Sequence, residues 1–136
     1  MMNSNINNLS SIGEHIGFFL DSAALYDILA RSAPSEGEKR QLGAFADECR
    51  ATAEKLGRVY RQRTGRFFDP SPSQIRESGS FRAVLRSRLK EEVAASRKLR
   101  DAYLGSGDNF RLKQALFTAF NDALCRAASI SAMLTA

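Results

Sequence analysis

Six side chains of this 136-residue chain stand out as able to bind a metal or move a proton: Glu92, Glu48, Asp122, Cys125, Asp21 and His15. Glu92 is the most informative. It interrupts an apolar seam in which Leu89 precedes it by three residues and Leu99 follows it by seven. A carboxylate aimed into a helical core is costly unless it is paired, protonated or bound to a metal. A neighbouring arginine, of which the chain has fifteen, would supply the pairing; a cation would supply the metal. Glu48 stands beside Cys49 on the edge of an apolar stripe, where a boundary residue keeps its head in water. Asp122 and Cys125 are three residues apart and share one helical face. A carboxylate with a thiolate suits a soft metal, although a free cysteine more often fills apolar space. Asp21 is expected to face solvent, and His15 reads as a surface or capping histidine in the first turn of its helix.

The single histidine excludes much. A His-rich zinc site, a two-His metalloprotease helix and a two-His di-iron site cannot be built within one chain that has only His15. A Ser-His-Asp arrangement is not credible with that histidine so near the terminus. The chain has no phosphate-binding glycine loop and no GxGxxG, and two cysteines are too few for a disulfide scaffold.

The elements that position these residues follow from hydrophobic spacing. Residues 1–10 are Asn-rich and are expected to be a flexible lead-in, with the folded domain at 11–136. Ser11 and Glu14 fit a capping box, followed by Ile12, Ile16, Phe19, Ala23, Tyr26 and Ala30 at helical intervals up to about Ser32. Pro34 breaks the chain, and Ser35 with Glu38 makes a second capping box. Leu42, Phe45, Cys49, Thr52, Leu56 and Val59 then step by three and four to a stop near Thr64 and Gly65. Residues 65–80 form the one long connection, with Ser71 and Pro72 suited to open a short helical turn inside it. A third helix is expected from Phe81 along Leu85, Leu89, Glu92, Ser96, Leu99 and Tyr103. A fourth, capped by Asp108, runs along Leu112, Leu116, Ala119, Ala123, Ala127, Ile130 and Leu134. Short links force antiparallel neighbours, and the long link between helices 2 and 3 permits a crossover. The expected fold is an all-α antiparallel four-helix bundle of the arrangement found in ferritin-like proteins.

The net charge of +5 sits on residues 35–66 and 67–106, each +3, but acids are interleaved throughout, as on solvated helix faces. The N-terminus has neither a basic region nor a continuous apolar core, so no signal peptide is read there, and no apolar run approaches the ~20 residues of a membrane span. These features imply a cytoplasmic protein with free thiols and no membrane partner. Phe18, Leu20, Leu25, Phe117, Phe120 and Leu124 lie off the main seams, and uncovered patches of this kind predict a homodimer.

Residues 18–66, FFLDSAALYDILARSAP through AFADECRATAEKLGRVYRQRTGR, resemble the first helix pair of ferritin-like, rubrerythrin-type proteins. Residues 85–134, with LKEEVAASRKL and AFNDALCRAASISAML, resemble the second pair. In that family two Glu-x-x-His motifs and two further glutamates hold a di-iron centre. By the resemblance, Glu48 matches the first motif's acid, but its histidine position is Ala51. Asp122 matches the second motif's acid, with Cys125 at its histidine position, and Glu92 matches the third-helix carboxylate. On the first helix Phe18 or Phe19 falls where an acid is expected, with Asp21 nearby but out of register.

The resemblance therefore implies a degenerate member without either imidazole. Glu48, Glu92, Asp122 and Cys125 remain as vestigial metal candidates, no cofactor is expected and no catalytic residue is assigned. The leading expectation is a non-catalytic interaction or structural bundle. An alternative is a residual oxidoreductase holding one iron or manganese ion on those four residues. A third is a basic nucleic-acid-binding module using Arg58, Arg61, Arg63 and Arg66 with Arg82, Arg86 and Arg88. No small-molecule substrate is identifiable.

Overall fold

In the computed structural model the backbone is described for residues 2–71 and 79–135, and side chains for 11–71 and 79–135. Four helices account for nearly all of it: α1 (Met2–Ser32), α2 (Glu36–Thr64), α3 (Phe81–Leu104) and α4 (Phe110–Thr135). No strand occurs among the described residues.

Helix ends follow local chemistry. Ser35 caps α2 by accepting from the Glu38 N–H at 3.1 Å, and its hydroxyl donates to the Glu38 carboxylate at 2.9 Å. Gly65 closes α2 in the left-handed region, φ 73°, with its N–H on the Arg61 carbonyl at 2.8 Å. Ser80 caps α3 through the Ala83 N–H at 3.1 Å.

Two expected starts are corrected. Ser11 does not cap α1, because the helix begins at Met2 and passes through it. Once a helix is nucleated each added residue is cheap, and the Asn-rich stretch contains no proline to stop it. Asp108 does not cap α4 either: with Gly107 at φ 65° it belongs to the turn, and Asn109 accepts the Leu112 N–H at 3.0 Å. The expected turn at Ser71–Gln74 lies outside the described residues.

α1 packs on α2 and α3 on α4 as close antiparallel hairpins; α2 also meets α4, and α1 meets α3. The direction of the second hairpin follows from its contacts. Glu48 meets Arg126, while Lys55 to Gln62 face Arg111 to Thr118, so α2 and α4 are antiparallel. Ser22 meets Arg88, while His15 and Phe18 lie beside Lys98 and Glu91, so α1 and α3 are antiparallel too. α2 and α3 consequently point the same way. The ends of α2 and α3 joined by residues 65–80 therefore lie at opposite ends of the bundle, roughly 43 Å apart at 1.5 Å per residue of α2.

The core takes Phe19, Tyr26 and Leu29 from α1, Leu42 and Leu56 from α2, Leu85 and Leu99 from α3, and Leu112, Leu116 and Ile130 from α4. Four seam assignments shift: Ala30 is half-buried while its neighbour Leu29 points inward, and three more move. Leu89, Tyr103 and Leu134 are only half-buried, while Arg88 and Met133 point inward. Of the residues expected off the seams, Phe18, Leu20, Leu25 and Phe120 pack against the core; Phe117 and Leu124 stay exposed.

Candidate functional site

The middle of the bundle is polar. Glu92 on α3 is wholly inaccessible and accepts three hydrogen bonds. The Tyr26 hydroxyl of α1 donates to its Oε1 at 2.8 Å, and Arg88 Nη2, one turn back on α3, donates to the same oxygen at 3.0 Å. Arg126 of α4 donates from Nε to Oε2 at 3.1 Å. Arg126 also reaches Glu48 of α2, Nη1 to Oε1 at 2.5 Å, and Arg88 donates to the buried Ser22 hydroxyl at 2.9 Å. Every helix contributes, and the two glutamates and two arginines sum to zero charge.

Aromatic rings complete the lining. The Arg88 guanidinium carbon lies 5.0 Å from the Tyr26 ring centroid and 5.5 Å from that of Phe18; that of Arg126 lies 5.8 Å from the Phe19 centroid. These contacts favour the cations where water is excluded. Arg126 Nη2 and Arg88 Nε have no hydrogen-bond partner among the described residues. A desolvated pair of this sort contributes little net stability, but removing one member leaves an uncompensated charge.

Burial sets the titration of the surrounding groups. It pushes the Tyr26 hydroxyl well above its ordinary range, and the adjacent Glu92 charge adds to this. It pushes the Cys49 thiol up to about 12. Glu48 is raised because desolvation, helped by Asp122 and Glu92, outweighs the attraction of Arg126. Burial works against the Arg126 charge, yet Cys49, Glu92, Tyr26 and Glu48 around it hold its proton more firmly than usual.

The sequence-derived candidates separate in space. Glu92 and Glu48 are brought together, with Arg126 bonded to both. Asp122 is half-buried one turn before Arg126, near enough to act on Glu48 electrostatically. Cys125 is exposed and Ala51 is exposed, so neither faces the cluster. Phe19 is fully buried and Asp21 is exposed. His15 is not a surface residue in a first turn: it is half-buried more than three turns inside α1, against Glu91, Ala94 and Lys98 of α3, and burial lowers its pKa.

Among the described residues no group of three His, Cys, Asp or Glu side chains could hold an ion. The Arg126 guanidinium is bonded to Glu92 Oε2 and to Glu48 Oε1, and the other Glu92 oxygen accepts from Tyr26 and Arg88. Glu92 is thus held by arginine pairing, one of the three solutions open to a core carboxylate.

The basic residues also divide. Arg88 is internal, and Arg82 donates to the Leu134 carbonyl at the C-terminal end of α4. Arg58, Arg61, Arg63 and Arg66 lie at the far end of the bundle, where the last turns of α2 meet the start of α4. The two arginine groups do not form one face.

Sequence reasoning missed Arg126 and the inward turn of Arg88, and both carried a signal. Arg126 falls between Ala123 and Ile130 at the three-then-four interval of the α4 seam, and Arg88 falls likewise between Leu85 and Glu92. An arginine in register with an apolar stripe is as conspicuous as the glutamate that was noticed. No helix among the described residues is long and apolar enough to cross a membrane. A scan against protein-family models finds no match to this chain, and a comparison with characterised proteins finds no relative.

Proposed function

We propose that this chain is a non-catalytic four-helix bundle that works through its surface, and that it self-associates as a homodimer through the outer face of α4. One observation carries the reading. From Gln114 to Thr135 the exposed positions of α4 are Gln114, Phe117, Asn121, Leu124, Cys125, Ala128, Ser131, Ala132 and Thr135, and none is charged. On α3, by contrast, the exposed positions include Arg82, Arg86, Lys90, Glu91, Arg97, Lys98, Arg100 and Asp101.

Phe110, Phe117 and Leu124, which are 73%, 52% and 43% exposed, recur every seven residues along that face. A seven-residue apolar repeat supplies one of the two seam positions by which helices pack side by side, with the uncharged Gln114, Asn121 and Ala128 at the other, and a row of this kind can pair with its own copy about a two-fold axis. The α2 to α3 crossover supports the expectation of a degenerate ferritin-like bundle. The neutral ion network supports the absence of catalysis, because its carboxylates are committed to arginines.

Light scattering at high micromolar concentration tests the reading. The wild type is expected at dimer mass. Phe117→Glu, which puts a charge at the centre of the face, is expected at monomer mass with an unchanged helical circular dichroism spectrum. A monomeric wild type, or a Phe117→Glu dimer, would overturn it.

A further inference from the structure

The groove between the second half of α2 and the first half of α4 differs from the other described grooves in having no acid in its lining. It encloses about 440 Å³. Its floor is Val59 and Ala115. Its walls are Lys55, Arg58 and Gln62 on α2 and Arg111, Gln114 and Thr118 on α4. Both helices present their wall residues at the same interval, i, i+3 and i+7, so the walls form two facing rows. Three cations, two amides and a hydroxyl line the groove, and no acid does.

The other described grooves each carry a carboxylate, Glu54 in one, Glu14 and Glu91 in another and Glu38 in a third, and several basic residues elsewhere are paired. Arg50 holds Asp27 and Asp47, and Lys39 holds Glu36. Arg58 bonds Glu54 at 2.7 Å, but as an exposed i,i+4 pair, the weak kind that a stronger anion displaces. Lys55 and Arg111 belong to none of the ion pairs among the described residues. The rows extend for roughly 10 Å, seven residues at 1.5 Å each. That length takes two or three adjacent phosphates, and guanidinium and amide donors suit their oxygens.

We infer that this groove is a binding site for a short phosphate chain, either free polyphosphate or the phosphate tail of a nucleotide. Arg111 and Lys55 hold the two ends, and Arg58 turns from Glu54 to the middle phosphate. Gln62, Gln114 and Thr118 donate to the remaining oxygens. The site adjoins the apolar face of α4 and shares only Gln114 with it, so its three cations stay outside that face.

Calorimetric titration of the full chain at low salt tests the assignment with tripolyphosphate, ADP and sulfate. Tripolyphosphate is expected to bind saturably and more tightly than sulfate, with affinity falling steeply as salt rises. The double variant Lys55→Gln/Arg111→Gln should weaken it at least about tenfold, as expected for losing two charge-assisted contacts. Arg86→Gln, an exposed change near the opposite end of the bundle, should leave it unchanged. ADP binding tighter than tripolyphosphate assigns the nucleotide source, and the reverse assigns the bare chain. Absence of saturable binding, sulfate binding as tightly as tripolyphosphate, or equal weakening by Arg86→Gln would overturn the proposal. So would a single-stranded oligonucleotide that binds more tightly than either ligand and is indifferent to the double variant.

Discussion

Arg126 donates from Nε to Glu92 Oε2 at 3.1 Å, and both side chains are sealed from solvent at the centre of the bundle. Each is costly alone and tolerable only with the other. Substituting one member of the network is therefore a different experiment from substituting all of them.

Glu92→Ala should destabilise the fold by about 3–5 kcal/mol, because Arg88 and Arg126 are left facing each other without their common partner. The replacement Arg88→Met/Glu92→Leu/Arg126→Met should be more stable than Glu92→Ala, since apolar groups of similar volume carry no desolvation cost and only the buried Tyr26 and Ser22 hydroxyls lose their partners. Urea unfolding followed by circular dichroism distinguishes these outcomes. A triple variant weaker than Glu92→Ala would show that the network is itself a large net stabiliser.

Tyr26→Phe keeps the ring, including its edge contact with Phe45 at 5.5 Å, and removes only the donor to Glu92. The expected loss is about 1.5–3 kcal/mol, the range for hydrogen bonds to charged groups. A midpoint in urea identical to wild type would mean that the arginines satisfy Glu92 unaided.

Alkaline stability should be governed by Tyr26 and Cys49. Both release their protons at higher pH folded than unfolded, where the ordinary values are 10.0 and 9.0. Above about pH 9 the unfolded chain binds fewer protons than the native one, so stability is full below that point and declines as pH rises. Cys49→Ala should flatten the first part of the decline in urea midpoints measured from pH 8 to 11. An equally steep fall in that variant would assign the effect elsewhere.

The two thiols should differ sharply toward a thiol reagent. Cys125 is exposed and should react at once, whereas Cys49 is buried with its pKa at about 12 and should react only on unfolding. Counting thiols before and after adding denaturant checks this. Two fast thiols in the native protein would contradict the packing around Cys49.

His15 gives a separate response in acid. Burial lowers its pKa, Glu14 opposes that shift and Lys98 adds to it. The unfolded imidazole takes its proton near 6.5, above the folded value. Its contribution to stability is therefore full above about pH 6.5 and is lost as pH falls through the folded pKa. His15→Gln should flatten the pH dependence of the urea midpoint between 7 and 5.5, and an unchanged slope would count against it.

The fold was legible because the apolar intervals, the Ser35 box, Gly65 and Pro34 are local signals that agree with one another. The start of α1 was less so, since Ser11 and Glu14 satisfy a capping pattern that a longer helix overrides. Glu92 was legible as an anomaly in its seam, but its partners were not. Which arginine meets it depends on how two hairpins are rotated and slid against each other, and spacing within a single helix carries no information about that. The outer face of α4 was half visible. Phe117 and Leu124 were noticed as off-seam, but Phe18, Leu20, Leu25 and Phe120 looked the same in sequence and are covered by the core.

The distribution of the network across the chain bears on the order in which the molecule assembles. The first hairpin brings Glu48 with the hydroxyls of Ser22 and Tyr26; the second brings Arg88, Glu92 and Arg126. Separately, one half holds a surplus negative charge and the other a surplus positive one. Helical hairpins rest on contacts close in sequence and form quickly, so the union of the two is the step left for last. A docking slid by one turn would still bury leucine against leucine, but it would strand Arg126 away from Glu48. The polar layer thus acts as a key for the final step, admitting one alignment of the halves where greasy surfaces alone would accept several.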